Sequence, residues 1–65
     1  MKRIKLWSSK TAVEYLKSFG KGKWKFRTIG FWDRLYTISV FNGKEVMEIV
    51  DYGGGYKEVY KLVEN

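Results

Sequence analysis

"LYTISVFNGKEVMEIVDY", residues 35–52, decides the fold class. Two runs rich in β-branched and aromatic residues flank Asn42-Gly43. Asn-Gly in that setting is the strongest short-range hairpin signal, because a type I′ turn needs positive φ at both central positions. A two-residue turn also sets the register. Phe41 then opposes Lys44, Val40 opposes Glu45, Ile38 opposes Met47 and Tyr36 opposes Ile49. Ile38–Met47 and Tyr36–Ile49 are apolar pairs and are expected on the buried face. Ser39–Val46, Thr37–Glu48 and Leu35–Val50 fall on the other, half-wet face.

Working toward the N-terminus, "KGKWKFR", Lys21–Arg27, also alternates. Trp24, Phe26 and Thr28 face one way, and Lys23, Lys25 and Arg27 face the other. This is expected as the first of three meander strands. "GFWDR", Gly30–Arg34, is expected as a five-residue loop. Trp24 and Phe26 reach the buried side if Thr28 opposes Tyr36 and Phe26 opposes Ile38. Upstream, "WSSKTAVEYLKSFGKG" reads as a short helix over residues 8–20. Ser8 or Ser9 can cap it, and Ala12, Tyr15, Leu16 and Phe19 form one apolar face. Lys17 suits the negative end of the helix dipole, and Gly20 suits a left-handed stop. Residues 1–7 read as a basic arm or a short edge strand.

Toward the C-terminus, Gly53–Gly55 breaks the pattern. The triple glycine lacks the lysine and hydroxyl residue of a phosphate-binding loop and is expected to be a flexible connection. In "YKEVYKLVEN", Tyr56, Val59, Tyr60 and Val63 share helical spacing. Residues 56–64 are expected as a short helix, with a fourth strand as the alternative because Val and Tyr favour sheets. The expected architecture is α+β: a short N-terminal helix on one face of a three-stranded antiparallel meander (residues 23–52), with a C-terminal helix or strand. A chain of 65 residues holds one domain, 1–65.

Absences narrow the chemistry. There is no Cys and no His. The commonest general base and the strongest nucleophile are missing, and so are disulfides and the usual zinc ligands. The acids are dispersed; Glu48 and Asp51, three residues apart, would point to opposite faces of a strand. The chain is read as a non-enzyme without cofactor or metal. No apolar run approaches the roughly 20 residues of a membrane span, and the basic start lacks a signal peptide's apolar stretch. The expectation is a cytoplasmic protein.

The net charge of +6 is unevenly placed. Residues 1–34 carry ten cations and two acids, whereas residues 35–65 carry three cations and five acids. Such polarity points to a polyanionic or acidic partner. Lys21, Lys23, Lys25 and Arg27 form a cationic row with side chains about 6.7 Å apart along the strand, suited to phosphate oxygens. Arg34 stands at one end. Phe31 and Trp32, adjacent in the expected loop, are the aromatics best placed to stack on a base or fill a partner's pocket. Trp24 and Phe26 are expected in the core.

The order of helix, three-stranded meander, glycine-rich loop and C-terminal segment resembles the double-stranded-RNA-binding domain. "LYTISVFNGKEVMEIVDYGGGYKEVYKL" is similar to that family's second and third strands leading into its last helix. The resemblance implies phosphate-gripping lysines at that helix, where Lys57 and Lys61 match in kind; the family's alanine-rich helix is absent here. The same order is similar to small ribonuclease toxins of the HicA type, which depend on a catalytic histidine that this chain lacks.

The expected function is a small, non-catalytic nucleic-acid-binding protein. It would use Lys21, Lys23, Lys25, Arg27, Arg34, Phe31 and Trp32, with weak sequence specificity. The alternative is a protein-binding module, such as a phage- or virus-encoded inhibitor of a host protein, anchored by Phe31 and Trp32. Either reading allows a monomer or a homodimer.

Overall fold

The computed structural model describes residues 1–64; Asn65, the last residue of the single-domain reading, lies outside the described residues. Five strands and one helix follow in the order β1 (Lys2–Leu6), α1 (Ser9–Lys17), β2 (Trp24–Phe31), β3 (Arg34–Phe41), β4 (Lys44–Asp51) and β5 (Lys57–Val63). All strand pairs are antiparallel, in the spatial order β1-β5-β4-β3-β2.

This corrects the expected three-stranded meander with two helices. The first seven residues hold an edge strand, and the C-terminal segment is a strand, not a helix. Seven residues make a poor helix on their own. As a strand, "KEVYKLV" satisfies backbone groups on both sides, against β4 and β1. The resemblance to the double-stranded-RNA-binding domain fails at that point, because its last helix has no counterpart.

The helix follows its sequence signals. The Ser8 side chain accepts from Thr11 N–H at 3.1 Å and caps the N-terminus. Ala12, Tyr15 and Leu16 are its half-buried residues; it ends at Lys17 with Ser18 as its C-cap, short of the expected residue 20, and the half-buried Phe19 and Gly20 at φ 71° follow in the turn beyond it. The Asn42-Gly43 turn also forms, with φ of 50° and 84°. Phe41–Lys44 and Val40–Glu45 pair as expected.

Past Val40 the register shifts by one residue at a β-bulge. The bulge absorbs Val46 and turns the rest of β4 over. Met47 now opposes Ser39 and Ile49 opposes Thr37, in place of Ile38 and Tyr36. Met47 and Ile49 therefore face α1, while Glu48 and Val50 face the opposite side. Val50 is 1% exposed, and Val46 and Leu62 are also buried. Both sheet faces thus bury apolar residues, Met47 on the helix side and Val50 and Leu62 on the other. Tyr15 OH donates to the Val46 carbonyl at 2.9 Å, tying the helix to the bulge.

The β2–β3 connection is tighter than the expected five-residue loop. Phe31 pairs with Arg34, leaving only Trp32-Asp33 as the turn. Trp32 takes φ 59° there. Consequently Thr28 opposes Thr37 and Phe26 opposes Ser39, not Tyr36 and Ile38. Trp24, Phe26 and Thr28 do lie on the helix side. Trp24 is half-buried, but Phe26 is 65% exposed and is not core. An open apolar groove of about 460 Å³ remains between α1 and the sheet, lined by Leu16, Trp24, Phe26, Met47 and Ile49.

Gly22 sits where the chain enters β2. A Cβ there would run into the Phe41 ring and come within 2.9 Å of the Asn42 amide nitrogen. Phe41 has little room to yield, with ring centroids of Trp24 and Phe19 4.8 and 5.3 Å away. Gly22→Ala is expected to cost about 1–3 kcal/mol as an overpacking change, measured by urea denaturation.

Candidate nucleic-acid interface

The outer hairpin β2–β3 carries every residue singled out from the sequence except Lys21 and Lys23, which lie just before it. Asn42 anchors that entrance. Its N–H donates to the Lys23 carbonyl at 2.8 Å, and its side-chain oxygen accepts from Lys23 N–H at 2.8 Å. The backbone of Lys23 is thereby tied to the neighbouring turn.

Within β2, Lys25 opposes Val40 and Arg27 opposes Ile38. The row does stand opposite the helix. Its neighbours are the apolar Val40 and Ile38, while the register places the hydroxyls of Ser39 and Thr37 on the helix side. Ile29 and Phe31 continue the same face, and Arg34 pairs with Phe31 at the far end. Lys25, Arg27, Ile29, Phe31 and Arg34 therefore lie in one line, with about 20 Å between Lys25 and Phe31. The shortened turn creates that line, because a five-residue loop would have taken Phe31 and Arg34 off the strand pair.

The cations differ in freedom. Arg27 is ion-paired to Glu45. Arg34 lies over the Tyr52 ring, 4.8 Å from its centroid, and a hydrogen bond to Tyr36 holds its guanidinium above the ordinary arginine value. Lys21, Lys23 and Lys25 have no carboxylate partner among the described residues. At the tip, Trp32 is 90% exposed and Phe31 61% exposed, with their rings edge to face at 6.1 Å. No family model, curated protein or solved structure matches this chain.

The strongest perturbation of a titrating group lies elsewhere, around Glu58 on β5. Its carboxylate accepts from Tyr52 OH (2.7 Å), Lys5 Nζ (2.9 Å), Tyr60 OH (2.9 Å) and Tyr56 OH (3.0 Å). These donors, Tyr52 and Lys5 first, hold the Glu58 pKa down to about 2, and the same contact pushes Tyr52 up to about 12. Four donors fill a carboxylate's acceptor sites. Glu58 is therefore a junction joining β1, β5 and the end of β4, with no lone pair left to take a substrate proton. Sequence reasoning missed it because the helical assignment separated Tyr56 and Glu58. In a strand, "YKEVY" places Tyr56, Glu58 and Tyr60 on one face, and that alternation is the signal that could have found them. Trp7, 83% exposed with Lys5 Nζ 4.1 Å from its ring centroid, was also missed and carried no local signal.

Among the described residues no helix is long and apolar enough to cross a membrane, and no cluster of acidic side chains could hold a metal ion.

Proposed function

We propose that this protein is a small, non-catalytic nucleic-acid-binding protein acting in the cytoplasm, with mainly electrostatic and weakly sequence-specific contacts. The observation that carries this reading is the single line of cations and aromatics on the open face of β2, entered by the unpaired Lys21, Lys23 and Lys25 and ending at Phe31, Trp32 and Arg34. The lysines would contact phosphates, which position a ligand without reading its sequence. Trp32 and Phe31 would stack on bases, an interaction indifferent to base identity. Arg27 contributes less than the sequence suggested, because Glu45 already neutralises it.

Fluorescence anisotropy with labelled single- and double-stranded DNA and RNA, at several salt concentrations, tests the reading. Wild type is expected to bind with a steep salt dependence. The triple variant Lys21→Ala/Lys23→Ala/Lys25→Ala is expected to flatten the log K against log salt slope by about 2–3, at roughly 0.7–0.9 per lost contact. Trp32→Ala is expected to weaken binding by about 1–3 kcal/mol and to leave the slope unchanged. Absence of salt-sensitive binding to all four probes overturns the proposal. The exposure of Trp32 would then favour a protein partner, with the tip as its hot spot, and recovery of that partner in a pull-down would be lost in Trp32→Ala.

A further inference from the structure

The two sheet edges are built differently. The β1 edge is five residues long and holds Lys2, Arg3 and Lys5. Short, cationic edges discourage strand addition. The β2 edge is eight residues long, exposed at every position after Trp24, and holds Phe26, Ile29 and Phe31 beside two cations, Lys25 and Arg27, where the shorter β1 edge has three. A long, exposed edge with three large apolar side chains invites pairing with another strand.

The backbone shows which groups are available. In a two-residue hairpin the flanking pair, here Phe31–Arg34, exchanges hydrogen bonds inward, and every second pair does the same. The Asn42 N–H bond to the Lys23 carbonyl has the same parity. Phe26, Thr28 and Gly30 therefore turn their N–H and C=O groups outward. Gly30 supplies an independent observation. Its φ is not positive, and a Cβ there would meet only Leu35 Cδ1 at an ordinary 3.8 Å. Nothing within this chain requires glycine at that position, in contrast to Gly22. A side-chain-free site in a strand suits close approach from outside.

We infer that β2 pairs antiparallel with β2 of a second copy, centred on Thr28, to make one continuous sheet across a two-fold axis. In that register Thr28 opposes Thr28, Phe26 opposes Gly30, Arg27 opposes Ile29 and Lys25 opposes Phe31. Seven residues pair, with about six backbone hydrogen bonds. Each Phe26 ring covers the other copy's Gly30, the aromatic rescue of an edge glycine. Each Lys25 meets an aromatic ring. The competing registers are worse. Centring on Arg27 sets two arginines face to face, and centring on Phe26 sets Lys25 against Arg27; like charges directly opposite destabilise a sheet. Centring on Ile29 pairs only residues 27–31.

The chain has no cysteine, so single cysteines report the register directly. Thr28→Cys brings two thiols onto a hydrogen-bonded pair with Cα atoms about 5.5 Å apart, within disulfide reach. Lys25→Cys leaves its thiols about 20 Å apart. Thr28→Pro removes an outward N–H, which an edge strand tolerates, and blocks pairing. Wild type is expected to sediment as a concentration-dependent dimer, and Thr28→Pro as a monomer with an unchanged far-UV spectrum. Under oxidising conditions Thr28→Cys is expected to cross-link on the order of ten- to a hundredfold faster than Lys25→Cys, because pairing holds its thiols at millimolar effective concentration. A wild type that stays monomeric at every concentration overturns the inference. So does equal cross-linking of the two cysteine variants, which also decides the matter if Thr28→Pro does not fold.

Discussion

Leu62→Ala is expected to destabilise the protein by roughly 2–5 kcal/mol in urea denaturation, the range for truncating a buried leucine. Leu62 is 6% exposed and lies on the sheet face that α1 does not cover. Glu48 pairs with Tyr60 and Val50 with Glu58, so Leu62, two residues on from Tyr60, stands on the same face as Val50 and opposite Arg3 of β1. The Arg3 guanidinium lies 4.2 Å above the Tyr60 ring, and its Nη2 is 2.6 Å from Glu48 Oε1. The cavity left by the truncation could close only by moving paired strands. A domain of 65 residues has a total stability of about 3–10 kcal/mol, so the variant would lose a large share of it. Val13→Ala, at a half-exposed helix position, is expected to change stability by no more than about 0.5 kcal/mol. A small effect at Leu62 and a large one at Leu16 would place the main core under the helix instead.

Glu58→Gln is expected to lower the urea midpoint at neutral pH and to remove much of the acid sensitivity of the fold. The Glu58 carboxyl titrates near 4.5 in an unfolded chain and at about 2 in the folded protein. A depressed carboxylate contributes stability that is fully present above the unfolded value and is lost as pH falls through the folded one. The difference between wild type and Glu58→Gln should therefore be constant above pH 4.5, shrink between 4.5 and about 2, and vanish below. The alkaline limb has the opposite sign. Tyr52 is raised from 10 to about 12, chiefly by its hydrogen bond to Glu58. That contribution is present below pH 10 and disappears as pH rises through about 12. Glu64→Gln, at an exposed ion pair with Lys44, serves as the control and should leave both limbs in place. Equal acid profiles for wild type and Glu58→Gln would mean that the junction does not hold β1 to β5.

The readable parts of the sequence were those encoded by neighbours a few residues apart. Ser8, the Ala12–Tyr15–Leu16–Phe19 stripe and Asn42-Gly43 each carry a local physical signal, and each acts as read; Gly20 does take a positive φ but lies beyond the helix end at Lys17. What failed depended on distant partners. The bulge at Val46 has no glycine or proline to announce it; it forms because both faces of β4 have apolar residues to bury. Trp32-Asp33 does not resemble a tight turn, since tryptophan rarely takes positive φ. The strand assignment of residues 57–63 rests on β1, more than fifty positions away, to supply the second ladder. Of the candidate interface, the cationic row was legible from its period-two spacing, but its continuation to Phe31 and Arg34 was not, because it needed the shorter turn.

The pairing of β1 with β5 carries one more consequence. Lys2 lies opposite Val63, so the first of the five strands is held by the fifth. During synthesis the three hairpins from β2 to β5 can close in turn, each between neighbours, while β1 waits with no strand to receive it. A chain interrupted before Lys57 would leave that basic ribbon loose. In the finished sheet any extension at either end emerges beside the other, three to four strand spacings, or about 14–19 Å, from the β2 edge. The molecule therefore keeps its covalent traffic on one side and its exposed hairpin on the other.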